Sequence, residues 1–173
     1  MKNLKYKVGL SMSILTFATF AISCDNHGYD DYNPGGTPTQ NLNGEWFIDI
    51  SDSEGNVLAQ HTLHKTFDTN DGNGTMYLSD RTGPGAADFS GYYLESKVQT
   101  DVSNLTFSAN DVENTSDASR VTITNGRILK GQGHSRTGVV TDSIYFEGEF
   151  DYDPGNKIIF AGHRRTGFNE DEY

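Results

Sequence analysis

The run nearest to a catalytic motif is Gly133-His134-Ser135-Arg136-Thr137-Gly138. A serine-hydrolase elbow sets its nucleophile in Gly-x-Ser-x-Gly on a strained strand-to-helix turn. Here the spacing is one residue too long, and no helical period follows to supply an oxyanion hole. The histidine and serine are also sequence neighbours, an awkward geometry for a nucleophile and its base. The run reads as a loop. His61 and His64 form an HxxH pair. On a helix that spacing brings two rings near one face, but on a strand it sends them to opposite faces. The local pattern is strand-like, with no HExxH and no cysteine pair, so no metal site is expected. Asp68, Asn70, Asp71 and Asn73 resemble the start of a calcium loop, as do Asp151, Asp153 and Asn156. Neither has the acidic residue that closes a twelve-residue EF-hand. Such clusters are ordinary turn chemistry at hairpin tips. No catalytic residue, metal or cofactor is assigned.

The residues with more to offer are those of a binding site. His163, Arg164 and Arg165 form a basic cluster in a chain of net charge −11. Neighbouring strand residues face opposite ways, so the two arginines cannot both point inward. An arginine near an apolar interior needs a carboxylate or a ligand anion to offset its burial. Two outcomes stay open. One is an internal ion pair, for instance with Glu147 or Glu149; the other is capture of a fatty-acid carboxylate or lipid phosphate at a cavity mouth. The aromatics, among them Tyr92, Phe146 and Phe160, either fill a core or line an apolar pocket. The candidate ligand set is therefore Arg164 and Arg165 for an anionic head, and Tyr92, Phe146 and Phe160 for an apolar body.

These residues need strands to hold them. In Asp142 to Phe168, residues Ile144, Phe146, Gly148 and Phe150 share one parity, as do Ile158, Phe160 and Gly162 after the turn Asp153-Pro154-Gly155-Asn156. A two-residue period around a turn predicts a hairpin with one buried face, which cannot stand alone in water. The rest of the chain supplies partners. Strands are predicted around Trp46–Ile50, Val57–Phe67, Thr75–Ser79, Phe89–Thr100, Leu105–Phe107, Val121–Ile123 and Arg127–Lys130. Asn125-Gly126 is the strongest hairpin signal, and Gly131 to Thr141 reads as a loop. No segment sustains a 3.6-residue apolar period. The pattern predicts an all-β domain with little helix: a single antiparallel up-and-down barrel of about eight or nine strands, or a jelly-roll-like sandwich.

The first 23 residues stand apart. Lys2, Lys5 and Lys7 precede an uncharged, largely apolar run from Val8 to Ile22, too short for a membrane span and typical of a secretory signal. Cys24, the only cysteine, follows Ala21-Ile22-Ser23 in the manner of a bacterial lipobox. Its acylation would anchor the mature chain, each buried methylene contributing roughly 0.8 kcal/mol. Removing the three lysines takes the net charge from −11 to −14. So acidic a surface repels phosphate backbones, which excludes nucleic acid as a partner and leaves the lipid anchor to hold the membrane. Residues 24–41, polar and rich in Gly and Pro, read as a tether, and residues 42–173 as the folded domain.

Val121–Gly131, Asp142–Gly155 and Gly162–Glu172, with the opening Gly44-Glu45-Trp46-Phe47, resemble the lipid-binding putative hydrolase family. That family consists of lipoproteins of the Bacteroides group with a calycin, or lipocalin-like, fold. The resemblance implies a barrel in which Trp46 plugs a closed end. It also implies a lipoprotein of the outer membrane, on its periplasmic face or at the cell surface, with a lipid or fatty acid as ligand. It supplies no catalytic residues. The favoured reading is non-catalytic binding of a small apolar or amphipathic molecule, with an accessory surface lipoprotein as the alternative and a lipid-directed hydrolase third. Asp142-Ser143-Ile144 also matches the short Asp-Ser/Thr-apolar pattern of O-glycosylation in such organisms.

Overall fold

The computed structural model describes residues 35–80 and 90–173. Eight antiparallel strands follow one another in sequence order and close on themselves. They are β1 (Gly44–Asp52), β2 (Val57–Asp68), β3 (Thr75–Ser79), β4 (Glu95–Asp101), β5 (Thr106–Asn114), β6 (Ser119–His134), β7 (Val140–Phe150) and β8 (Ile158–Arg164). Closure is made by β1 against β8, where Trp46 pairs with Arg164, Ile48 with Gly162 and Ile50 with Phe160. A closed ring has no free edges, so the sandwich alternative is excluded.

Alternation decides which side chains enter the barrel. Trp46, Ile48 and Ile50 of β1, Met76 and Leu78 of β3, and Ile144, Phe146 and Phe150 of β7 are all buried in one cluster. Phe146 and Phe160 stack face to face, their centroids 4.5 Å apart. Burying each such side chain contributes roughly 1.5–3 kcal/mol. Gly162 permits the β1–β8 seam, because a Cβ there would collide with the Phe47 carbonyl and the Ile48 Cα.

Three expectations are corrected. Asn125-Gly126 is not a hairpin turn. It is a bulge inside β6, between the pairs Thr124–Glu147 and Arg127–Tyr145. A bulge and a type I′ turn ask for the same positive φ, here +56° at Asn125, and partners on both sides continue the strand through it. The two short strands expected there are therefore one, and the total is eight. Residues 131–134 extend β6 rather than forming a loop, leaving a tight turn before Val140. The fourth strand starts at Glu95, and Tyr92 and Tyr93 precede it.

Among the described residues, helix is confined to two 3-10 turns, Gln40–Leu42 and Asn169–Asp171. Thr39 is buried ahead of the first, its N–H and hydroxyl both donating to Asp68. The tail beyond β8 folds back along the outer wall. There Tyr173 stacks on His61 at 3.7 Å and meets Phe47 edge-on at 4.9 Å.

Candidate functional site

One end of the barrel is plugged. Trp46 donates its indole N–H to Thr66 Oγ1 at 2.9 Å, and that hydroxyl donates to Leu42 O at 2.6 Å. Arg164 lies over the Trp46 ring at 5.0 Å and donates from Nη2 to Asn43 O at 2.8 Å. Its Nε sits 3.4 Å from Asp142 Oδ2. Burial pulls the Asp142 carboxyl upward, but Lys130, the Gly131 N–H and Arg164 outweigh it and hold it below its ordinary value. Arg165, one residue on, faces outward and bridges Glu45 and Glu172, each at 2.7 Å. Glu147 and Glu149 take other partners: Lys157 at 3.0 Å and the Gly155 N–H at 2.9 Å.

The interior is apolar on both sides, Met76, Leu78, Val98 and Phe107 of β3 to β5 joining the cluster of Phe146 and Phe160, with a few polar groups set among the former. From β7 and β8 come Phe146 and Phe160; facing them across the barrel is an arc drawn from β2 to β5. His64, fully buried, presents its ring edge-on to Phe160 at 6.0 Å, with Nδ1 3.2 Å from Thr62 O. Asp80 accepts the Leu94 N–H at 2.9 Å. Asn114 is saturated, accepting from Glu95 N and donating to Tyr93 O and Asp117. Ser96 sits between Leu78 and Asn114 on the parity of Val98, and its buried hydroxyl has no hydrogen-bond partner among the described residues. Leaving such a group unsatisfied costs roughly 1–3 kcal/mol. Of this arc, sequence reasoning named His64, in the HxxH pair, and missed Ser96. The one signal for Ser96 was a serine on a core parity.

The other end is spanned by a clasp. Tyr92, ahead of β4, donates its hydroxyl to Asp153 Oδ2 at 2.7 Å in the β7–β8 turn. Tyr92, Phe150 and Tyr152 form a ring cluster, with Tyr92 to Phe150 at 5.4 Å and Phe150 to Tyr152 at 5.3 Å. The Tyr92 hydroxyl and Asn156 lower the Asp153 pKa, and the same hydrogen bond raises that of Tyr92. We call this end the mouth.

The structure thus gathers Phe146 and Phe160 inside, puts Tyr92 at the mouth and Arg164 in the plug, and turns Arg165 to the outer wall. The remaining motifs do local work. Ser135 Oγ accepts the Val139 N–H at 3.1 Å and closes the β6–β7 turn, while the neighbouring His134 is exposed. His61 lies outside the barrel, on the opposite face from His64. Asp71 accepts from Asn73 N and Thr75 Oγ1, and its pKa falls well below the carboxylate range for that reason. Ser143 is half-buried on β7 opposite Leu129. Cys24 and the segment expected to be a secretory signal lie outside the described residues.

A family model described as "Lipid-binding putative hydrolase" matches residues 31–169. The chain belongs to that family. The match runs from ahead of the plug, through all eight strands, to the start of the second 3-10 turn. A search of curated proteins returns no match.

Proposed function

We propose that this member of the lipid-binding family holds one amphipathic, lipid-like molecule inside its barrel and performs no chemistry on it. The observation that carries this reading is the buried Ser96 hydroxyl, which has no hydrogen-bond partner among the described residues, in an otherwise apolar barrel interior. A ligand head group there would satisfy it, with the apolar body lying along Phe146 and Phe160. The family description supports a lipid as the class of ligand. Tyr92 and Asp153 guard the entrance. The hydrolytic half of the description finds little footing at Ser135, whose hydroxyl is occupied by the turn. Acylation of Cys24 would hold the domain at the outer membrane, on its periplasmic face or at the cell surface.

Native mass spectrometry of residues 25–173 tests this. The expected result is a stoichiometric lipid or fatty acid released on denaturation. Ser96→Ala should keep the fold and lower occupancy roughly tenfold, the worth of one buried hydrogen bond. A second reading, an accessory lipoprotein with a filled core, is favoured by the tight Phe146–Phe160 stack. A wild-type barrel that stays empty after incubation with mixed lipids would establish that reading instead.

A further inference from the structure

Exposed apolar side chains gather at the plugged end. Val139 is 47% exposed, Val140 62% and Phe168 59%, with Leu129 nearby on β6. Val139 and Val140 stand on the β6–β7 turn, and polar contacts fix that turn. Ser135 N–H donates to Val139 O at 2.9 Å, Thr137 N–H and Oγ1 to Asp171 Oδ1 at 2.9 and 2.7 Å, and Arg136 Nη1 to Glu172 O at 2.6 Å. The turn's polar groups bond inward and to the tail, so it presents β-branched side chains outward on a rigid support. Charges of both signs share this end: Lys130 and Arg164 pair with Asp142, Arg165 pairs with Glu45 and Glu172, and Arg136 donates to the Glu172 carbonyl. The chain also enters the barrel here, where Asn41 O accepts from Lys130 Nζ at 3.3 Å. Cys24 precedes Gly35 by only eleven residues, a length that reaches roughly 36–40 Å even when fully extended.

We infer that the plugged end is a bilayer-contact face, with Val139, Val140 and Phe168 seated in the phospholipid interface and the mouth opening away from it. The inference rests on acylation of Cys24, which confines the domain within that short reach. Confinement at such distance raises the effective concentration of membrane at the turn, so a few apolar side chains suffice where they would not bind alone. Arg136, exposed in the turn itself, is placed to meet a lipid phosphate.

The test couples the mature chain through the Cys24 thiol to a maleimide phospholipid in phosphatidylcholine vesicles and maps hydroxyl-radical oxidation by mass spectrometry. Phe168 and Val140 should oxidise roughly fivefold more slowly than in uncoupled protein, with Tyr152 and Val57 unchanged. In Val139→Asp/Val140→Asp, Phe168 should return to the uncoupled rate. Equal oxidation with and without coupling, or protection at Tyr152 and Val57 instead, overturns the contact face alone. Acyl labelling of the full chain in cells, compared with Cys24→Ala, reads the anchor separately. An unlabelled wild-type chain removes the anchor and with it the native contact.

Discussion

Replacing Arg164 with Ala separates a structural clamp from a ligand anchor. The guanidinium makes three contacts at the plug. Its hydrogen bond to Asn43 O is charge-assisted, worth about 1.5–3 kcal/mol. Its position over Trp46 adds about 0.5–1 kcal/mol at a partly exposed site. The 3.4 Å contact with Asp142 is solvent-screened and adds about 0–1 kcal/mol. These terms overlap, because one rigid group makes them all, so the expected loss is about 2–4 kcal/mol. For a domain of this size each kcal/mol lowers Tm by roughly 3–5 °C, giving a fall of about 6–20 °C. Arg164→Lys should recover the ion pair but not the planar stack, and land between. Thermal and urea unfolding of residues 25–173 measure both. If Arg164→Ala leaves Tm within about 2 °C of wild type yet abolishes lipid occupancy, the clamp argument is refuted and Arg164 is the anion anchor after all.

Gly162→Ala should prevent closure of β1 on β8, since the new Cβ meets backbone rather than a yielding side chain; a loss above about 3 kcal/mol, read as insoluble or unfolded protein, is expected. Tyr92→Phe deletes the clasp bond, so release of a fluorescent fatty acid should quicken roughly fivefold while Asp153 titrates nearer its ordinary value. Hydrogen bonds from the Thr137 and Thr166 hydroxyls hold the Asp171 carboxyl far below the usual range. With a folded pKa under the unfolded value of about 3.9, Asp171 stabilises above about pH 4, and that stability is lost as pH falls through the folded pKa. Asp171→Asn should thus lower stability at pH 7 and flatten its decline below pH 4, as denaturant titrations across that range would show.

How far the sequence could be read depended on whether a signal was local. Alternation along Trp46–Ile50, Ile144–Phe150 and Ile158–Gly162 named the inward residues correctly, because parity is a property of the strand itself. Asn125-Gly126 misled because a hairpin turn and a bulge place the same demand on φ, and only the neighbouring strands decide between them. The partner of Arg164 was illegible for a related reason. Glu147 was the nearby acid in sequence, but Lys157, Asn125 and Tyr145 already claim it, while Asn43 is 121 residues away. Ser96 carried the faintest mark, a polar residue where Val98 is apolar, and nothing in its own surroundings said that its hydroxyl would lack a partner.

Closure by the first and last strands bears on how the chain matures. Trp46 and Arg164 meet across nearly the whole domain, and Arg165, itself paired with Glu172, then reaches back to Glu45. A chain crossing a membrane from its N-terminus delivers β1 first and β8 last. Until β8 emerges, β1 and β7 are both open edges, liable to pair with other chains. Long-range closure of this kind is slow compared with local hairpin formation. An exported chain would therefore need protection of those edges during transit, and a chain truncated anywhere before Arg164 would have no closed barrel to fall back on.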